Sequence, residues 1–313
     1  VKNVANAPWR VASIGSQLHA SRALNLEPQG PESVRNLLAW ATNLLRQAAL
    51  DLPEREARLL LQHATGLCLS HLLAFPEELV DPDGSEKFRS LVLRRAQRVP
   101  AAYLTGKVSF LHWEFFVDES VLVPRPETEI LVETVAAALK GRRPGWIVDV
   151  GTGSGVIAIS LALLLPDFRV LAMDVSPRAL RLAEKNVISA DCEGRAFLVC
   201  GDLLLPLRLK AAAIVANLPY IPTSVLPTLQ PEVARYEPRE ALDGGHDGLR
   251  FIAPLVEQAP AYLEDGGLLV LEVAEGQARQ VETLMKRQPG IRRTQVFPDY
   301  AGIERVVIGF VGD

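Results

Sequence analysis

Apolar residues change their pattern along the chain, and each change predicts a different kind of structure. From about residue 33 to residue 98 they recur at intervals of three and four, in SVRNLLAWATNLLRQAA, then PEREARLLLQHATG, then SEKFRSLVLRRAQR. Those intervals lay a stripe along one side of a helix, so this part predicts a small helical domain. Pro53 stands where a first-turn proline is tolerated, and Gly66 where a helix stops. Over 108–123, VSFLHWEFFVDESVLV turns aromatic and β-branched, which predicts a hairpin.

After residue 127 strand and helix alternate: WIVDV (146–150), a helix in SGVIAISLALLL, RVLAMD (169–174), and a helix in SPRALRLAEKNVISA opened by Ser176 and Pro177. AFLVC, AAIVAN and GLLVLEV continue the strands. Their apolarity is continuous rather than alternating, so both faces are covered, as in a parallel sheet between helices. RRTQVF and RVVIGFV are too close for a helical crossover and predict a final antiparallel pair.

The 313 residues suffice for two domains, or for one large α/β domain with an extension. Although 49% are apolar, a charged residue, Pro or Gly breaks every apolar run. None reaches the roughly 18 residues of a membrane span, so a soluble protein with no membrane partner is expected. A net charge of −4 speaks against a protein that coats nucleic acid, which wants clustered Lys and Arg. Cys68, Cys192 and Cys200 are odd in number and widely spaced, giving neither a disulfide framework nor a zinc site. A reducing compartment, the cytoplasm, is expected. His19, His63, His71, His112 and His246 lack metal-ligand spacing, and no metal is expected. Residues 1–31 carry Lys2, Arg10 and Arg22 against one acid, Glu27, and read as a flexible leader; read instead as a transit segment, they would direct the protein to an organelle.

The strongest local motif is DVGTGSG, Asp149 to Gly155, between the first parallel strand and its helix. Alternate glycines allow a tight turn and close backbone approach, so a nucleotide-like ligand can lie against the helix N-terminus. No GK[ST] follows, which excludes the P-loop, and the glycine spacing departs from GxGxxG. Asp174 ends the second strand, 23 positions after Gly151, where it can accept hydrogen bonds from both hydroxyls of a ribose. The fourth strand ends in Asn217-Leu218-Pro219-Tyr220. A terminal Asn with a Pro two residues on is costly in a buried strand, so this tetrapeptide serves something besides packing. Open α/β sheets bind ligands outside the carboxyl ends of their strands, which brings the first, second and fourth strands to one crevice.

DVGTGSG with Asp174 and a closing antiparallel hairpin resembles the class I S-adenosylmethionine-dependent methyltransferases, whose Rossmann-like α/β sheet has seven strands with the last reversed. Asn217 to Tyr220 then lie where that family's amino-group enzymes carry [DNS]-P-P-[YFW]; Leu218 departs from the commoner Pro but keeps its backbone carbonyl. An amide or exocyclic amine is a poor nucleophile because its lone pair is delocalised. Two acceptors on its N–H groups, the Asn217 side-chain oxygen and the Leu218 carbonyl, would fix the nitrogen toward the methyl donor. Pro219 would stiffen the turn, and Tyr220 would stack on the planar group and face the sulfonium.

The same tetrapeptide is similar to that of RNA adenine dimethyltransferases, which keeps a nucleic-acid adenine amino methyltransferase as the alternative. Other segments resemble the release factor glutamine methyltransferases: PRPETE within VLVPRPETEILVE (121–133), RVPAAYLTGKV, RYEPREALDGGHDGL (235–249) and FPDYAGIERVVIG (297–309). The resemblance runs from about residue 34 to 311. It implies methyl transfer from S-adenosylmethionine, leaving S-adenosylhomocysteine, to the side-chain amide nitrogen of the Gly-Gly-Gln glutamine of peptide chain release factors. The cofactor would contact Gly151, Thr152, Gly153, Ser154, Gly155, Asp174 and Asn217, with Asp202 and Leu203 beside the adenine. Asn217, Leu218, Pro219 and Tyr220 would hold the glutamine. Arg125 and Glu129 would either shape the substrate mouth or pair to lock the hairpin, and Asp149 would support the Gly-rich loop or the cofactor's amino group. Glu237, Pro238, Gly244, Gly245 and Gly248 would shape a loop near the crevice. The implied organisation is the leader (1–31), a helical substrate-recognition domain (32–105), a β-hairpin linker (106–126) and the catalytic domain (127–313), acting as a monomer without nucleic acid.

Overall fold

The structure, a computed structural model, describes residues 32–312, so the leader expected over 1–31 lies outside the described residues. The chain divides into two compact units after Ala96.

The first unit contains α1 (Val34–Gln47), α2 (Pro53–Thr65), α3 (Leu69–Ala74) and α4 (Pro82–Ala96). Ser33 caps α1, its hydroxyl oxygen accepting the Asn36 N–H at 3.3 Å. The α1 stripe Val34, Leu37, Trp40, Ala41, Leu44 and Leu45 is buried. Pro53 opens α2, and Gly66 ends it in the left-handed conformation, φ 74°. Phe88 of α4 meets Trp40 edge-on with ring centroids 6.1 Å apart. Arg95 is buried and is held by both carboxylate oxygens of Glu56.

The second unit begins at Gln97. It opens with α5 (Ala101–Thr105) and the antiparallel pair β1 (Lys107–Phe110) and β2 (Trp113–Phe116). The hairpin is shorter than the apolar run that signalled it. After Phe116 the chain is irregular to Pro126; Asp118 accepts the Ser120 N–H at 2.9 Å in a turn, and Pro124 and Pro126 have no N–H to give a ladder.

The alternation predicted after residue 127 is present. In order come α6 (Glu127–Leu139), β3 (Trp146–Val150), α7 (Val156–Leu164), β4 (Arg169–Asp174), α8 (Pro177–Ser189), β5 (Ala196–Cys200), β6 (Ala211–Ala216), α9 (Pro231–Tyr236), α10 (Ile252–Gln258), β7 (Leu263–Glu272), α11 (Ala278–Lys286), β8 (Ile291–Pro298) and β9 (Glu304–Val311). Seven strands form one sheet in the order β5-β4-β3-β6-β7-β9-β8. β9 runs antiparallel to both its neighbours, and the other pairings are parallel. Successive strand residues face opposite cores. Ile147, Val170, Val215 and Val270 pack with residues of α6 and α7, while Val148, Ile214 and Leu269 pack with residues of α10 and α11. That two-sided burial is why the strands read as unbroken apolar runs.

The strand order reverses between β3 and β6, which makes the crevice at their carboxyl ends the expected ligand site. Val150 is in register with both Met173 and Ala216. The residues that follow these three, Gly151, Asp174 and Asn217, therefore leave the sheet side by side.

Candidate active site

A cleft of about 1090 Å³, its open mouth included, lies over those strand ends. The Gly-rich turn, Asp174, Asp202, Leu203 and Asn217 to Pro219 line it together with Arg125 and Thr128. Residues as far apart as Arg125 and Pro219, 94 positions in sequence, thus meet at one cleft, as the topology requires.

The turn is built by backbone conformations that glycine alone adopts cheaply: φ is 76° at Gly151, 56° at Gly153 and 85° at Gly155. A Cβ on Gly153 would meet nothing within 4 Å, so its backbone borders open cleft. A Cβ on Gly155 would come within 3.3 Å of Ala183, which explains how tightly this turn seats on α8. Asp149 is fully buried beneath the turn and accepts the Thr152 hydroxyl at 2.6 Å through Oδ2, while Oδ1 has no partner. Burial pushes its carboxyl up to about 7, against the Thr152 hydrogen bond and with help from the nearby Asp174 charge. Asp174 Oδ2 accepts the Gly153 N–H at 2.9 Å and Oδ1 the Ser176 N–H at 2.8 Å. Its pKa is raised by burial, with those two N–H groups opposing. Each carboxylate oxygen keeps a second lone pair for a ligand. Asn186 of α8 ties the turn to the hairpin, its amide nitrogen donating to the carbonyls of Ser154 (2.8 Å) and Phe116 (2.9 Å) and its oxygen accepting the Phe116 N–H at 2.7 Å.

Across the cleft, the Asn217 amide nitrogen donates to the Thr128 hydroxyl oxygen at 3.1 Å. That leaves Oδ1 as the free end of the amide. Leu218 is buried in the core beneath, and its Cδ2 would lie 2.9 Å from a Cβ on Gly151, so Leu at this position packs the tetrapeptide against the Gly-rich turn. The Tyr220 hydroxyl donates to Glu272 Oε1 at 3.3 Å, and the ring does not line the cleft. Behind it the Asp243–Gly248 loop runs alongside: Ile221 N–H donates to the Leu242 carbonyl at 3.1 Å, and Gly244 N–H to the Ile221 carbonyl at 2.8 Å. A Cβ at Gly244 would sit 2.8 Å from the Pro219 carbonyl oxygen, and one at Gly248 would sit 2.3 Å from that of Tyr220. Only glycine lets the two segments approach so closely.

Arg125 and Glu129 part company. Arg125 lines the cleft and donates to Glu237 Oε1 at 2.6 Å, whereas Glu129 is absent from the lining and accepts the Leu111 N–H at 2.7 Å, holding the turn of the β1–β2 hairpin. Glu237 is buried with its Oε2 unpartnered, and burial raises its pKa despite Arg125. In DYAGIER, Asp299 accepts the N–H groups of Ala301 (2.9 Å) and Ile303 (3.0 Å) and the Arg305 guanidinium (3.1 Å), so this segment is a structural turn.

Two residues of the site escaped the sequence reading, Thr128 and Glu272. Glu272 ends β7 and is 2% exposed. An acid closing the buried run LLVLE was a usable signal, like Asp149 and Asp174 in the first two parallel strands. Among the described residues no His, Cys, Asp and Glu cluster can hold a metal ion, and no helix is long and apolar enough to cross a membrane.

The sheet with its reversed last strand and the Gly-rich turn, strand-end acid and Asn-Leu-Pro-Tyr around one cleft define a class I S-adenosylmethionine-dependent methyltransferase. Residues 36–106 match the family model described as PrmC N-terminal domain, and residues 126–225 that of the methyltransferase small domain. The chain is 43% identical over 279 residues to the release factor glutamine methyltransferase of Moorella thermoacetica, covering 89% of this chain and 98% of the relative. It is 39% identical over 282 residues to that of Geobacter sulfurreducens, covering 90% and 97%. The chain belongs to the release factor glutamine methyltransferase family. Among solved structures, the hMettl16 catalytic domain in complex with a MAT2A 3′UTR hairpin shares the fold with a TM-score of 0.52 at 14% identity, over 64% of this chain and 76% of that one.

Proposed function

We propose that this protein transfers a methyl group from S-adenosylmethionine to the side-chain amide nitrogen of the glutamine in the Gly-Gly-Gln loop of peptide chain release factors, as a cytoplasmic monomer. The observation that carries the reading is the Asn217 amide, whose nitrogen is engaged by Thr128 so that its oxygen is left as an acceptor beside the Gly-rich turn. The names of the relatives support the choice of protein substrate.

The cleft suits the methyl donor. The Gly153 backbone is open to it, and Asp174 has lone pairs to spare for the ribose hydroxyls. Gly151 to Gly155 would hold the donor's amino-acid end, and Asp202 and Leu203 would flank its adenine. When bound, S-adenosylmethionine supplies a methyl group on a cationic sulfonium. Asn217 Oδ1 and the Leu218 carbonyl would accept the two N–H groups of the substrate amide and fix its nitrogen in line with the cleft. Pro219 limits the motion of those acceptors. Orientation of a weak nucleophile and neutralisation of its developing charge account for most of the rate, so no strong base is required. Tyr220, with its hydroxyl on Glu272, would support the wall behind Pro219. The helical unit would grip the release factor away from its reacting loop.

The test is transfer of labelled methyl to a purified release factor, beside its Gln→Ala loop variant and a ribosomal RNA control. Label on the unmodified factor alone is expected. Label on the RNA would overturn the reading in favour of an adenine amino methyltransferase.

A further inference from the structure

Between Ile221 and Leu242 the chain leaves the Asn-Leu-Pro-Tyr segment and returns to it. The Ile221 N–H donates to the Leu242 carbonyl at 3.1 Å and the Thr223 N–H to that of Gly245 at 2.8 Å, so the base of the excursion 222–241 is pinned. Its Pro238, Glu240 and Ala241 form a wall of the cleft. Its Ala234, Glu237 and Arg239 line a second cavity, of about 510 Å³ with its open mouth included, which also borders Leu226 and Pro227. The excursion therefore stands between two hollows. No residue of α9 within it is buried, so the apolar packing that usually fixes a helix is missing.

What holds α9 is polar. Arg98 donates to Glu232 Oε2 at 2.7 Å, the two side chains being 17% and 13% exposed. One turn further along, the Tyr236 hydroxyl donates to the Gln97 carbonyl at 2.8 Å, and Glu237, which closes the helix, accepts from Arg125. Arg98 takes φ 74°, in the left-handed region that a residue with a Cβ keeps only where its surroundings over-determine it. We propose that Arg98 and Glu232 are positioning residues for the methyl acceptor: their ion pair fixes α9 beside the second cavity, and with it the cleft wall 238–241 and Arg125, the one cation lining the cleft among the described residues.

The inference rests on the methyltransferase reading above. An ion pair so little exposed is only weakly screened, so losing either partner frees a helix that has no packing to fall back on. The wall would touch a bound acceptor segment before and during transfer alike, so its displacement should weaken binding without changing the chemical step. Asn217 and Leu218 lie outside the pinned base and keep their places.

The test uses the full chain with labelled S-adenosylmethionine and a purified release factor. Glu232→Ala and Arg98→Ala are each expected to raise the KM for the factor at least about fivefold while kcat stays within about twofold. The double variant should be no worse than the poorer single, because the two residues act through one contact. Amide hydrogen exchange should quicken over 231–241 and stay unchanged over 217–221, a local readout that a general loss of stability would not give. Binding of S-adenosylhomocysteine, read by calorimetry, should match the parent, which also shows that the variants fold. Parental KM in both single variants, a fall in kcat at unchanged KM, additive effects in the double variant, or parental exchange over 231–241 would each overturn the proposal while leaving the methyltransferase reading intact. Should one single variant fail to fold, the other decides together with exchange. No transfer to the factor by the parent would overturn the substrate reading instead, and exchange would still decide whether the pair holds the wall.

Discussion

Gly151→Ala tests whether the Gly-rich turn and the Asn-Leu-Pro-Tyr segment act as one assembly. At φ 76° an alanine sits in the left-handed region, which costs about 1–2 kcal/mol. Its Cβ would fall 2.9 Å from Leu218 Cδ2, well inside the ~3.5–4.0 Å of a comfortable carbon contact. Leu218 is buried among core residues, so it cannot swing into solvent; relief has to come from the tetrapeptide's backbone. Such overpacking costs about 1–3 kcal/mol. The total, about 2–5 kcal/mol, predicts a fall in Tm of roughly 3–8 °C for a chain of this size. A backbone shift approaching ~1 Å also displaces Asn217, and misplacement of that order lowers kcat about a hundredfold. Gly153→Ala is the control. It carries a similar backbone cost at φ 56°, but its methyl meets nothing within 4 Å, so it should lose affinity for the methyl donor while kcat is largely retained. Calorimetric melting and steady-state kinetics on both variants read these quantities. If Gly151→Ala melts no lower than Gly153→Ala and keeps kcat within about twofold, the Leu218 contact does not couple the two segments.

Asn217→Ala removes one of the two amide acceptors and should cost at least about a hundredfold in kcat, or roughly 3 kcal/mol; a loss under about fivefold in single-turnover transfer would show that the acceptor lies elsewhere. Asp149, held near 7 by burial against an ordinary 3.8, binds its proton more tightly folded than unfolded. Stability should therefore fall as pH rises from about 4 to about 7, by at most about 4 kcal/mol. Asp149→Asn should flatten that part of the curve when Tm is compared with the parent from pH 5 to 8, and equal slopes would refute the assignment. Removing residues 1–96, the first compact unit, should leave S-adenosylhomocysteine binding intact and abolish methylation of the whole release factor; unchanged turnover on that protein would show that the helical unit does not grip it.

The sheet was legible because its strands are buried on both faces and so spell out unbroken apolar runs, and because the final hairpin has too short a connection for a helix. The Gly-rich turn and the strand-end Asn and Pro were legible because each is expensive in a plain strand or helix. What the sequence left open was pairing at long range. Arg125 had acidic candidates on both sides, and the fold gives it Glu237, 112 residues away, while Glu129 turns to a backbone N–H of the hairpin. Thr128 and Asn217 are 89 residues apart and Tyr220 and Glu272 52, and nothing local marks such partners. The hairpin was overestimated for a local reason, since Val121, Leu122 and Val123 extend its apolar run, but the stretch DESVLVPRP that holds them has prolines and an Asp-centred turn where a ladder would need N–H groups.

β9 follows β8 in the chain but lies between β7 and β8 in the sheet. During vectorial synthesis β8 therefore emerges before the strand it must pair with, and β7 waits with one edge open. The waiting edge is apolar, from Leu268 to Leu271, which is the kind of surface that recruits other chains. Until β9 slots in, Arg305 has not yet joined Asp299, and the field around Glu272 is incomplete. A stalled or truncated chain would thus expose a sticky edge and an unfinished site together, so that loss of activity and loss of solubility should appear at the same chain length.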